Sequence, residues 1–196
     1  MRQATLFRRS VPSMLMLLAL LLSGGTARAV TVAHVSLPDS AEVEGRPLVL
    51  NGAGLRTRFF FKIYAAALYL PTKSHDAEAI INAPGPRRVV MHFIYDEVSS
   101  EKLAAGWTEG FENNLDEANF AAMKPRLAAF NELFPTVRKG DRIVLDFLTD
   151  GRVQVRINDT LRGSVKGQDF QQALLRVWLG EEPADWDLRD ALLGKE

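Results

Sequence analysis

Apolar residues recur along this chain at two spacings, every second position in some segments and every third or fourth in others, which separates strands from helices. The cleanest period-two pattern lies in Arg142 to Leu148 and Gly151 to Asn158, joined by Thr149-Asp150-Gly151, where Asp-Gly is a hairpin signal. In the second strand Val153, Val155 and Ile157 point one way, while Arg152, Gln154, Arg156 and Asn158 point the other. One face of that sheet is therefore wet, and a third strand over Thr160 to Val165 extends it to an antiparallel meander. A further strand is predicted over Arg87 to Tyr95, after the Pro84-Gly85-Pro86 breaker, and short strand candidates fill Thr31 to Leu50 between Pro38, Gly45 and Pro47.

Helical spacing appears in three places. Ser99-Ser100-Glu101 supplies N-cap chemistry for a helix carrying Leu103, Trp107, Gly110, Phe111 and Leu115. The next, from Ala118 to Phe134, carries Phe120, Met123, Leu127, Phe130 and Phe134, with Pro125 expected to kink or divide it and Pro135 to stop it. A third runs from Gln168 to Leu179 with Phe170, Leu174, Leu175 and Trp178, stops at Gly180, and is followed by a short helix from Asp185 to near Gly194. Strands early and in the meander, with helices grouped between and after, predict an α+β domain with helices layered on an antiparallel sheet.

The segment most charged with chemical meaning is Leu50 to Pro71. Gly52 and Gly54 suit a sharp turn or a close approach to a ligand, and Arg56 then stands at the mouth of an apolar strand running to Leu70. Both faces of that strand are apolar except at Lys62, so it is covered on both sides by other layers or by a ligand. A guanidinium beside such a wall needs an anionic or acceptor partner, which is either a ligand or a structural acid or carbonyl. Tyr64 on the same strand, and Tyr95 at the end of the next long one, are candidate hydrogen-bond donors to the same ligand.

Composition narrows the classes. Residues 1–29 read as a signal peptide, with Arg2, Arg8 and Arg9 ahead of an apolar core from Met14 to Leu22 and Ala27-Arg28-Ala29 as the cleavage signal, the runner-up being an uncleaved signal anchor. Residues 30–196 then form one domain, placed in a bacterial periplasm with no stable membrane span after cleavage. Without the four arginines of residues 1–29, 20 basic side chains face 24 acidic ones, a mildly acidic balance that argues against a nucleic-acid partner. The absence of cysteine excludes a disulfide framework, a thiolate metal site, a cysteine nucleophile and a lipoprotein anchor. His34, His75 and His92 are scattered, so no metal site and no cofactor is expected. Ser99-Ser100 lacks the Gly-x-Ser-x-Gly context of a nucleophile elbow, and oligomeric state is not legible.

The run Asn51-Gly-Ala-Gly-Leu-Arg56, the block from Phe61 to Leu70, Val177-Trp-Leu-Gly180 and Asp187-Leu188 together resemble the chalcone isomerase family, in particular its exported bacterial branch. The resemblance implies an open-faced β-sandwich, a large antiparallel sheet covered by helices with a ligand cleft between them. It implies an isomerase site in which an arginine stabilises developing negative charge while threonine, tyrosine and asparagine groups hold substrate and water. By motif the arginine falls on Arg56, whereas the remaining positions fall on Tyr64, Ser99, Gly106 and Val177, so only the arginine matches. Members lacking the catalytic set include fatty-acid-binding proteins in which the same arginine holds a carboxylate.

Three readings follow. The first is a non-catalytic binder of a fatty acid or similar amphipathic anion, with Arg56 on the carboxylate and Tyr64, Tyr95, Gly52 and Gly54 at the ligand. The second is an intramolecular lyase or isomerase acting on an aromatic or other substrate, with Arg56 as electrophilic stabiliser and Tyr64 as proton donor or orienter. The third is an interaction module whose cleft is plugged by its own side chains.

Overall fold

The computed structural model describes residues 29–195. Apart from Ala29, the segment expected to be a signal peptide lies outside the described residues. Ala29–Val32 (β1) and Val35–Pro38 (β2) form a hairpin of their own. Ser40–Val43 (β3), Arg46–Arg58 (β4), Phe61–Leu70 (β5), Arg87–Phe93 (β6), Arg142–Phe147 (β9), Arg152–Ile157 (β10) and Thr160–Lys166 (β11) make a seven-stranded sheet. Its order is β11-β10-β9-β6-β5-β4-β3, and every neighbouring pair is antiparallel. Glu97–Val98 (β7) and Val137–Arg138 (β8) add a small ladder at one end. The α+β architecture expected from the residue pattern, a large antiparallel sheet under a helical layer, is the one observed.

Among the described residues five helices complete it: Ala77–Asn82 (α1), Ser100–Asn114 (α2), Glu117–Asn131 (α3), Gln168–Leu179 (α4) and Trp186–Leu192 (α5). Four start where a side chain accepts a backbone N–H of the first turn, from Asp76, Ser99, Asp116 and Asp185. Pro125 lies inside α3 without dividing it. The buried stripe of α4, Phe170, Leu174, Leu175 and Trp178 among others, packs with Trp107 and Phe111 of α2 and with Phe130 of α3 over the sheet. Side chains of this size contribute about 1.5–3 kcal/mol each when fully buried. Aromatic edges join the layer: Trp107 lies 5.6 Å from Trp178 and 5.6 Å from Phe130, and Phe111 lies 5.2 Å from Phe170.

The opposite face of the sheet buries a smaller cluster, Leu48, Leu50, Ala65, Ala67, Tyr69, Val90 and Val144, together with Leu37 from the β1–β2 hairpin. Ala65 to Leu70 is consequently buried on both faces, as its unbroken apolar run predicts. A buried guanidinium ties in α1: Arg87 donates from Nη1 to the carbonyls of Ile80, Ile81 and Ala83, and from Nη2 to Gln171 Oε1. It has no carboxylate partner in those contacts, and burial pulls it down to about 10.

Two expectations are corrected. Arg56 to Leu70 is not one strand, because Phe59 and Phe60 turn the chain between β4 and β5, with Phe59 in the left-handed region at φ 57°. Gly52 and Gly54 do not make a turn either; both lie inside β4, and the reason glycine stands there is α5. A Cβ on Gly52 would sit 2.0 Å from the Ala191 carbonyl oxygen, and one on Gly54 would sit 2.6 Å from the Ala191 Cβ. Helix α5 thus rests directly on the backbone of β4.

Candidate functional site

Arg56 is the eleventh residue of β4 and pairs directly with Tyr64 across the β4–β5 ladder, which places both side chains on one face of the sheet. That face is the one beneath the helices, where Tyr64 packs against Phe93 with ring centroids 5.5 Å apart. The register shift between Arg56 and Thr57 leaves Ile63 of β5 as the extra residue of a bulge just beyond the Arg56–Tyr64 pair.

Arg56 Nη1 donates to the Thr57 carbonyl at 2.7 Å and to Asp185 Oδ2 at 3.4 Å. Asp185 is also the N-cap of α5, accepting from Leu188 N at 3.0 Å through Oδ1 and from Thr57 N at 2.9 Å through Oδ2. A structural acid and a carbonyl therefore already meet one nitrogen of Arg56. Nε and Nη2 make no hydrogen bond of ordinary geometry to a described residue, although the guanidinium lies close enough to the Tyr64 phenol to favour its charged form by hydrogen bonding, and the side chain keeps 18% of its surface exposed.

Tyr64 Oη accepts the indole N–H of Trp178 at 3.1 Å, which leaves its own proton without an acceptor among the described residues. Burial pushes the Tyr64 phenol above its ordinary 10, and the positive charge of Arg56 is the largest influence pulling the other way. Tyr64 is thus a neutral donor near neutral pH. Beside Trp178, the Trp107 indole N–H is buried with no partner among the described residues. The cluster has more donors than acceptors, and its one carboxylate is committed to three contacts.

The other expected positions fall elsewhere. Tyr95 packs edge-on against Phe61 at 5.5 Å, near the turn, and makes no described contact with Arg56 or Tyr64. Gly52 and Gly54 face α5. Ser99 caps α2, and Val177 fills the space over Gly110, where an added Cβ would lie 2.8 Å from it. Trp178 and Asp185 were not singled out as site residues from the sequence. Trp178 reads there as ordinary core, and Asp185 as a helix start 129 residues away from the arginine it meets.

Two well-formed hollows among the described residues do not include Arg56. One, of about 540 Å³, lies on the outer face among Glu42, Arg88, Asp146, Arg152, Gln154 and Arg156. The other, of about 290 Å³, lies between the Ala83–Gly85 loop and the start of α4. Among the described residues no group of histidines and acids has metal-binding geometry, and no helix is long and apolar enough to cross a membrane.

The family model for chalcone isomerase-like proteins matches residues 29–194. Among solved structures, a fatty-acid binding protein of Arabidopsis thaliana shares the fold with a TM-score of 0.71 at 18% sequence identity, over 85% of this chain and 96% of that one. At that identity the likeness is one of fold. No curated protein matches the chain. A seven-stranded antiparallel sheet under a helical layer, with a match that runs the length of the described fold, establishes that the chain belongs to the chalcone isomerase-like family.

Proposed function

We propose that this is an exported, periplasmic binding protein without catalytic activity, and that it holds the carboxylate of a fatty acid or a similar amphipathic anion at Arg56. The observation that carries the reading is the surplus of donors at one point. The free edge of the Arg56 guanidinium and the unengaged Tyr64 O–H lie on one face of the β4–β5 ladder, in a part-buried setting. Charge-assisted bonds of this kind are worth about 1.5–3 kcal/mol. The fatty-acid binding protein of the same fold supports the ligand class, and the arginine-led apolar segment of residues 1–29 supports export.

Catalysis by this set is disfavoured because it lacks a proton acceptor. Tyr64 stays protonated, and Asp185 is engaged with Arg56, Thr57 and Leu188. The closed aromatic layer of Trp107, Phe111, Phe130, Phe170 and Trp178 favours one second reading, an interaction module with a filled cleft. Under the first reading an acyl chain requires α2 and α4 to part or their side chains to repack.

Native mass spectrometry of the protein purified from its own periplasm, with identification of any extracted small molecule, tests both. A bound fatty acid whose affinity falls about ten- to a hundredfold in Arg56→Ala is the expected result. A fatty acid held equally by Arg56→Ala refutes the arginine's role. An empty protein that takes up no added fatty acid leaves the filled-cleft module standing.

A further inference from the structure

The turn between β4 and β5 is built from Phe59 and Phe60, which are 83% and 97% exposed, and Phe61 beside them is 55% exposed. Three consecutive phenylalanines in water are costly, and the backbone makes the position more so, since a left-handed conformation at a bulky residue such as Phe59 costs about 1–3 kcal/mol. The run Arg56-Thr-Arg-Phe-Phe-Phe-Lys62 carries three cations and no acid. Arg58 is only loosely shared with Glu109 of α2, at 3.9 Å with both side chains more than half exposed.

A second exposed aromatic stands at the same end of the molecule. Trp186, 55% exposed, follows Asp185, whose carboxylate holds the backbone of Thr57 just below the turn. Aromatic side chains edged by arginine and lysine are the chemistry of a bilayer's interfacial zone, where rings sit at headgroup level and cations meet lipid phosphates.

We propose that the Phe59–Phe61 tip, with Arg58 and Lys62 at its flanks, inserts into the surface of an anionic phospholipid bilayer. The alternative occupant, a second copy of this chain, is poorly matched. At 150–250 Å² per ring and the exposures above, the three phenylalanines offer about 350–590 Å², below the roughly 800 Å² per partner of a stable interface. A narrow projecting turn also fits a fluid surface better than a rigid one. Docking stands on the tip itself; only the consequence that Arg56 and Tyr64 then open toward the lipid rests on the binding function proposed above.

The test is co-sedimentation of the protein beginning at residue 29, which contains every described element, with vesicles of phosphatidylcholine alone or mixed with phosphatidylglycerol. The expected result is binding to the mixed vesicles that falls roughly tenfold in Phe60→Ser, a substitution at a fully exposed ring, and is unchanged in Leu161→Ser on the far edge strand. The double variant Arg58→Gln/Lys62→Gln is expected to lose the preference for phosphatidylglycerol, by about fivefold per charge. Absence of binding to either vesicle, or equal binding by Phe60→Ser, overturns the proposal. So does a wild-type dimer that Phe60→Ser converts to a monomer without any vesicle binding. Vesicle binding by a protein that carries no fatty acid leaves the tip intact and counts against the carrier; a carried fatty acid without vesicle binding does the reverse.

Discussion

Replacing Gly52 by alanine separates a glycine kept for a ligand from one kept for a helix. The added Cβ lies 2.0 Å from the Ala191 carbonyl oxygen and 2.7 Å from that of Leu192. Both obstacles are backbone, so no rotamer relieves them, and strand and helix must part by roughly 1.4 Å to reach ordinary contact at 3.4 Å. The helix cannot simply ride up. Its end is moored by Asn51 Nδ2 on the Leu192 carbonyl at 2.8 Å and by His75 Nδ1 at 2.6 Å from the Leu193 carbonyl oxygen, and its start by Asp185 on Thr57. Overpacking of this kind costs about 1–3 kcal/mol, and loss of the Asn51 bond adds about 0.5–1.5 kcal/mol. A central value of about 3 kcal/mol lowers Tm by about 6–12 °C in a domain of this size, read by circular dichroism and checked by urea unfolding.

Gly54→Ala supplies the internal control, because its obstacle is a side chain, the Ala191 Cβ at 2.6 Å. Ala191→Gly removes that atom at a helix cost of about 0.5–1 kcal/mol, so it partly rescues Gly54→Ala and does nothing for Gly52→Ala. An unchanged Tm in Gly52→Ala with weakened ligand binding, or its rescue by Ala191→Gly, would refute the helix-contact account.

Three further outcomes are expected. Gly110→Ala is destabilised by about 1–3 kcal/mol through overlap with both Val177 methyls, and Val177→Ala, itself a cavity-forming change, restores part of that loss in the double variant; strict additivity by urea unfolding would count against the contact. Burial holds the Tyr69 phenol up to about 12, and its proton goes to the Pro38 carbonyl at 2.9 Å, so a phase of tyrosinate absorbance near pH 12 in an alkaline titration disappears in Tyr69→Phe. The Arg126 guanidinium holds the Asp169 carboxyl below its ordinary 3.8, so its stabilisation is complete above that value and is lost as pH falls through it toward the lower folded value. Asp169→Asn accordingly lowers Tm by a few degrees at most at neutral pH, as befits a part-exposed pair, and the difference from wild type vanishes in strong acid.

Much of the fold is legible in the residue pattern because single-face burial imposes a period. The β9–β10–β11 meander, β6, α2 and α4 all present alternating or helical stripes, and each appears within a residue or two of its expected bounds. The β4–β5 turn was hidden for the opposite reason. Apolar residues stand on both faces, and the turn uses Phe-Phe where glycine or asparagine is the usual signal. The β1–β2 hairpin is similarly masked, since Ala33 and His34 take positive φ without turn-type side chains. Short α1 has only Ile80 and Ile81 buried, too few to set a period.

At the site, Arg56 stands out locally because it follows a glycine pair and stands at the head of a long apolar stretch. What surrounds it does not, because Asp185 and Trp178 arrive from more than a hundred residues downstream. The glycine pair was legible as a demand for closeness, but the sequence does not say what comes close.

The seating of α5 on β4 also sets an order of assembly. The Asn51–Leu192 and Thr57–Asp185 contacts span 141 and 128 residues, whereas the neighbouring hairpins of the sheet close over short loops. Local pairing can raise β3, β4 and β5 early, but a loop of that length must close before the helix contacts give any return. Until it does, the stretch around Gly52 and Gly54 remains a face of uncovered backbone, open to water and to proteases. Helix α5 is in that sense the latch of the domain: whatever keeps the chain extended keeps this contact unmade until residues 186–192 can fold back onto β4.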